Sequence, residues 1–287
     1  MTEQDFPALY RSADKLSLDS QKYFFKVLLA HLTVLVFAAI LPFSPFFMEW
    51  IPVLQLISLL SALGFSIYLW AARPDRYWYA GRAVAESVKT ITWRYISKAE
   101  PFHTEDSFAQ NEFKNSLKLI FDQNRDVCSK LIDHSNEEQF TEAMNQMRCS
   151  SLEERRNNYC ENRIKNQRDW YAKKAAYNKR IGNWFFLGLV ISNVIAVILA
   201  SLKLCNINPA YLPVDVAITL AAGILSWIQA KRFTELSASY ALTAHEIGFI
   251  NEKSATIQSE EDFSKFVGDA ENAFSREHTQ WAARRDV

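Results

Sequence analysis

The run from Ile51 to Ala72 contains no charged residue, and as a helix rising about 1.5 Å per residue it would reach about 33 Å, enough to cross a bilayer's hydrocarbon core. A helix of a soluble bundle needs a polar face to turn to water, and this segment has none. It is therefore read as a membrane span. Three further blocks are nearly as apolar: Tyr23 to Leu41 with Lys26 near its start, Trp184 to Leu204 with only Lys203 near its exit, and Val214 to Ala230 with Asp215 at one end and Lys231 and Arg232 just beyond the other. The last is near the lower limit of about 17 residues for a span, and by length alone it also suits a buried soluble helix.

The cations orient these blocks. Arg11, Lys15 and Lys22 precede the first span and Arg73, Arg76 and Arg82 follow the second, while the connecting PFSPFFMEW has neither Lys nor Arg. Lys173, Lys174, Lys179 and Arg180 precede the third span, Lys231 and Arg232 follow the fourth, and NINPAYLP joins them. Positive residues stay on the cytoplasmic side, so two hairpins are expected, in a multi-pass membrane protein with both termini cytoplasmic. Pro42, Pro45 and Pro52 punctuate one turn and Pro209 and Pro213 the other, where a helix has to stop and reverse. Trp50, Trp70, Trp184 and Trp227 fall near span ends, at headgroup level.

Between the apolar blocks the chain is polar but helically periodic. After Pro74 nothing breaks a helix of about 25 residues until Pro101, and Tyr79, Arg82, Glu86, Lys89 and Trp93 recur along it at steps of three or four. Pairing of Arg82 with Glu86 and packing of Trp93 explain this stripe; an interhelical or ligand-facing stripe is the sharper alternative. Phe113, Leu117, Ile120, Cys128 and Leu131 form one narrow apolar face. Ser150 and Ser151 stand three positions before Glu153 and Glu154, a capping box opening a helix that runs on into the third span. The segment after the fourth span continues as helix, and Ser259 with Asp262 caps a last one whose buried face is Phe263, Phe266, Val267, Ala270, Phe274 and Trp281. The expected fold is thus an all-α membrane protein, two transmembrane hairpins whose long helices extend into a cytoplasmic helical bundle.

Several function classes are disfavoured. The 32 Lys and Arg cancel the 32 Asp and Glu, so no global basic footprint points to direct nucleic-acid binding. The seven glycines form no phosphate cradle, and the five histidines include no H-E-x-x-H, so neither a cofactor nor a metal is expected. Cys128, Cys149, Cys160 and Cys205 have no C-x-x-C pair and are read as reduced thiols. Glu86, Lys89 and His245 are the nearest approach to a catalytic set, and each is better explained as a helix contact. The chain is expected not to be an enzyme.

Polar residues inside the spans are few. Gln55, Ser58 and Ser61 follow one another at steps of three, and with His31 and Asn193 they are the candidate lining of a pore; interhelical hydrogen bonding is the other use for such residues. Four spans hold too few polar groups for an ion site within one chain, so a pore demands a homo-oligomer in the lipid bilayer.

The stretch RYWYAGRAVAESVKTITWRYISKAEPF, Arg76 to Phe102, resembles the post-hairpin motif of the SLATT family of two-transmembrane effectors, and FTELSASYALTAHEI with FSREHTQWAARR resembles a second SLATT subtype. The resemblance implies a tandem, with a first unit over residues 1–150 and a second over 151–287. It implies a membrane effector of a bacterial antiphage defence system, forming a pore or disrupting the inner membrane and causing growth arrest or cell death. The implied trigger is an operon-encoded sensor, nucleotide-generating enzyme or reverse transcriptase. The positions carried over are Tyr79, Arg82, Glu86, Lys89, Trp93 and Tyr95 in the first unit and Tyr240, Glu246, Glu277 and Trp281 in the second, with assembly or gating as their expected role. A non-conducting membrane anchor that recruits a cytoplasmic enzyme is the alternative.

Overall fold

The computed structural model describes residues 2–43, 49–205 and 212–283, with side chains to residue 275. Every regular element among the described residues is helical, and four helices are long and apolar enough to cross a membrane. The chain forms two compact units. A hairpin unit holds residues 22–74 and 175–238, and a charged unit holds residues 1–21, 75–174 and 239–287, so both halves of the sequence contribute to each.

In the hairpin unit, α1 (Ala8–Ile40) contributes its second half and pairs with α2 (Ile51–Ala72). Small residues make that seam: Ala38, Ser58 and Ala62 are buried. Close helix approach by small side chains, with polar groups bonding across, is how helices associate where lipid removes the hydrophobic drive. His31 Nδ1 lies 3.1 Å from the Ala62 carbonyl, and Gln55 donates to the Ala38 carbonyl at 3.3 Å. The second hairpin joins α8 (Asn166–Leu204) to α9 (Val214–Lys231) and repeats the device, with Gly188 facing Ile224 and with Ser192, Ala217 and Ala221 buried. Phe25 of α1 meets Trp227 of α9 at 5.6 Å between ring centroids, and Lys231 Nζ caps the Phe25 ring at 3.4 Å. Large apolar side chains point outward: Leu56, Leu60, Leu63 and Ile67 on α2, and Phe186, Val194 and Val197 on α8, are exposed. A surface this apolar suits lipid as its solvent. The two hairpin turns fall mostly on residues 44–48 and 206–211, outside the described residues.

Both hairpins exit in the same way. Arg73 after α2 and Arg232 after α9 are left-handed, at φ 42° and 53°, and the next helix begins one residue later. The expected continuous helix beyond the fourth span is therefore broken at Arg232, because a left-handed residue cannot carry the ladder forward. By contrast, α8 does run unbroken into the third span.

The charged unit is built around α3 (Pro74–Ile96), the start of α1 and α11 (Glu260–Ala283). Helix α3 stops short of Pro101: Lys98 is left-handed at φ 53°, the Ala99 amide donates to the Arg94 carbonyl at 2.9 Å and the Lys98 amide to that of Tyr95 at 3.2 Å. That pair of bonds is a Schellman ending, usually built on glycine. Between α3 and α8 lie α4 (Asp106–Gln123), the short α5 (Arg125–Cys128), α6 (Glu142–Cys149), α7 (Leu152–Tyr159) and a π-helical turn, Cys160–Lys165. The Ser151 and Glu154 capping box forms as expected, as does the Ser259 and Asp262 cap. Helix α10 (Phe233–Glu252) sends its second part into this unit. Val84, Val88, Trp93, Phe113, Tyr159 and the α11 face of Phe263, Phe266, Val267, Ala270 and Phe274 are the core.

Candidate functional site

On α3 the positions 79, 82, 86, 89 and 93 share one side of the helix. Gly81 decides how near α1 comes. A Cβ there would meet the Ala13 carbonyl at 3.0 Å and the Ser17 amide at 3.1 Å, so the two backbones touch and the short side chain of Asp14 reaches Arg82 at 3.4 Å. Arg82 also pairs with buried Glu86 at 2.6 Å, and half-buried Lys89 stands 5.7 Å over the Tyr10 ring. Burial pulls the Lys89 amine below its ordinary pKa against the pull of Glu86, and nearby Arg163 lowers it further. Burial likewise pushes the Asp14 carboxyl up, with Arg82 opposing.

A second, fully enclosed pair belongs to the same core. Arg163 of the π turn donates to Glu271 of α11 through Nε at 2.9 Å and Nη2 at 2.7 Å. Glu271 accepts two more bonds, from the Tyr159 hydroxyl and from Thr90 of α3, each at 2.9 Å. The pair is almost fully withdrawn from solvent, at 1% and 0% exposure, and the guanidinium lies 4.4 Å from the Phe274 ring centroid. Burial pushes the Tyr159 phenol well up, with Glu271 adding to the effect. Asp14, Glu86 and Glu271 balance Arg82, Lys89 and Arg163, three against three, as buried charges must be matched to be tolerated. Arg163 Nη1 and Trp93 Nε1 are buried without a hydrogen-bond partner among the described residues.

Two more arginines extend the pattern. Arg148, fully buried, donates to Asp106 at 2.8 Å and to the carbonyls of Tyr95, Phe102 and Thr104 at 2.7, 2.9 and 3.0 Å. Arg155 donates to the Ser97 carbonyl at 3.0 Å and to Glu260 at 3.1 Å. These two hold the end of α3 and the segment after it, whose carbonyls fall largely outside the helix ladder.

The remaining motif residues are packed. Tyr79 stacks on Trp78 at 4.5 Å, and Trp93 presents its ring to Phe6 at 6.0 Å and Tyr159 at 5.6 Å. Tyr95 lies 4.8 Å from Phe113 and 4.7 Å from the Arg148 guanidinium. Tyr240 meets Trp170 and Tyr171, both at 5.5 Å, and Glu246 is half-buried on α10. Glu277 and Trp281 lie on the last turns of α11, and their side chains fall outside the described residues.

The polar span residues take different partners. His31 and Gln55 bond across the first hairpin, whereas Ser58, Ser61 and Asn193 donate to the carbonyl four residues back on their own helices, at 2.8, 2.8 and 2.9 Å. Ser58 is buried and Ser61 exposed, since each step of three residues retreats about 60° around a helix.

Among the described residues no group of three or more His, Cys, Asp or Glu side chains is placed to hold a metal ion. Glu86 is 2% exposed and paired with Arg82, while His245 is exposed on α10. The sequence pattern did not single out Arg148, Arg155, Arg163 or Glu271. Their signals are an arginine at steps of seven and eight, and an acid inside the apolar period Val267, Ala270, Phe274.

Residues 7–156 match the family described as SMODS and SLOG-associating 2TM effector domain 3, and residues 159–281 match SMODS and SLOG-associating 2TM effector domain 1. No curated protein and no solved structure matches the chain.

Proposed function

Because the chain belongs to the SLATT family of two-transmembrane effectors, as a type 3 domain followed by a type 1 domain, we propose that it is the membrane effector of a bacterial antiphage defence system. In this reading the units 1–150 and 151–287 are two copies of one ancestral layout, set in the inner membrane with the charged unit and both termini in the cytoplasm. A partner sensor or nucleotide signal acts on the charged unit, the chains associate, and the membrane becomes permeable, arresting or killing the infected cell.

The observation that carries the proposal is the outward apolar surface of the hairpin unit, together with the bonds that His31, Gln55, Ser58, Ser61 and Asn193 already make to backbone carbonyls. In this reading conduction belongs to an assembly in which Gln55, Ser58, Ser61, His31 and Asn193 exchange these bonds for water or for a neighbouring chain. The Glu271 cluster, which holds residues of both sequence halves together, supports the motif residues as elements of assembly or gating rather than of chemistry.

Dye release from liposomes carrying the purified chain, with and without its operon-encoded partner, tests this reading. Release that requires the partner is expected; vesicles that stay sealed in both conditions overturn it. A second reading, a non-conducting anchor for a partner enzyme, is favoured by Leu242 and Phe249, which stand exposed seven residues apart on one face of α10. In that case L242E/F249E releases the partner in a pull-down while membrane potential is unaffected with either chain.

A further inference from the structure

Leu9 and Ser12 of α1, one face of α4 and the segment from Cys128 to Gln139 line an open cleft of about 380 Å³ in the charged unit. Helix α4 supplies Lys114, Leu117, Lys118 and Phe121, at steps of three, one and three, which gather on one face. The third wall is held in place by the start of the chain: Lys15 pairs with Asp133 at 2.8 Å, Arg11 with Glu137, and the Ser12 hydroxyl donates to the Asp133 carbonyl. The site is formed before any ligand arrives, and its size is that of a small-molecule pocket.

Its polar groups divide sharply. Gln139 accepts the Leu9 amide at 2.9 Å, Ser12 is committed to Asp133, and His134 Nδ1 lies 2.6 Å from Glu137. Lys114 and Lys118 make no hydrogen bond or ion pair with another described residue, and no carboxylate lines the cleft. Burial pushes the Cys128 thiol up, so the wall it shares with Leu117, Phe121 and Leu131 stays uncharged near neutral pH. The cleft therefore sets two exposed lysines, one helical turn apart, beside an apolar floor.

From this division we infer that the cleft is a binding site for a small amphipathic monoanion, a medium-chain carboxylate in chemical class, whose charged end sits between Lys114 and Lys118 and whose tail lies along Leu117, Phe121 and Leu131. Nothing in this site depends on conduction by the hairpins, and its test does not measure conduction. A carboxylate held by two ammonium groups gains charge-assisted bonds that an alcohol of equal length cannot match.

The experiment measures equilibrium binding of radiolabelled octanoate to the full chain in lipid nanodiscs, with empty nanodiscs subtracted and 1-octanol as the neutral comparison. Saturable octanoate binding at one site per chain is expected, at least tenfold weaker in K114Q/K118Q, and octanol should bind no better than octanoate does to that variant. Leu131→Trp, which fills the apolar end, is expected to remove binding. The lysines are exposed, so their variant is expected to unfold at the parent's temperature and keeps the test decisive if Leu131→Trp does not fold. Absence of saturable binding above empty nanodiscs, equal affinity of K114Q/K118Q and parent, or octanol binding as tightly as octanoate overturns the inference.

Discussion

Replacing Glu271 by alanine removes the acceptor of four hydrogen bonds at once, two from Arg163 and one each from Tyr159 and Thr90. Bonds to a charged acceptor contribute about 1.5–3 kcal/mol each, so simple addition would give about 6–12 kcal/mol. That sum overstates the loss, because these bonds share one group whose desolvation has already been spent. Removing one partner of a buried ion pair costs about 3–5 kcal/mol, mainly through the charge left behind, and this is the loss expected for E271A. It is a large part of the about 5–15 kcal/mol that holds a domain folded. R163M/E271L, which removes both charges and fills the space with apolar groups, is expected to lose far less than the two single changes together, giving a coupling of about 2 kcal/mol or more. Unfolding of the full chain in mild detergent, followed by tryptophan fluorescence, reads both effects, since the Trp93 ring lies 5.6 Å from that of Tyr159. Loss of less than about 1 kcal/mol in E271A, or additivity in the double variant, would refute the enclosed-pair reasoning.

Three further outcomes are expected in the same assay. Lys98→Gly relieves a side chain from the left-handed end of α3 and should stabilise the chain by about 0.5–1 kcal/mol; a loss of stability would contradict the Schellman ending. Gly81→Val forces α1 from α3 and should cost about 1–3 kcal/mol, whereas a neutral result would mean the helices are not in backbone contact. Asp14 binds its proton more tightly folded than unfolded, so its contribution is greatest below its unfolded value of 3.8 and is lost as pH rises through the raised folded value. D14N should consequently gain on the parent as pH rises from about 4 towards neutral, and a gap independent of pH would count against that shift.

What could be read from the residues alone follows the physics that fixes each feature. A span needs only apolar length, and a capping box only two residues three apart, so the hairpins, the Ser151 cap and the Ser259 cap were legible. The α11 face was legible for the same reason, except that Glu271 sits within it and finds its meaning in Arg163, 108 residues away in the chain. Arg148 in the polar run MNQMRC reads as a surface cation; it is buried because the chain after α3 turns back and leaves carbonyls that only a long forked donor can satisfy. The break after Ala72 is marked by Pro74, whereas those at Lys98 and Arg232 carry no such signal, because left-handed residues are expected to be glycine or asparagine. The cleft was half visible: Leu117, Cys128 and Leu131 were placed on one face, but its lysines acquire significance only when α1 closes the third wall.

The proposed topology has the hairpins crossing the membrane, with residues 142–149 in the cytoplasm and the residues just beyond α8 outside it. Two native thiols test it, for Cys149 is exposed on α6 and Cys205 is exposed just beyond α8. A membrane-impermeant maleimide applied to intact spheroplasts is expected to modify Cys205 and spare Cys149, with the reverse in inverted vesicles. Modification of both thiols from the same side would contradict the account.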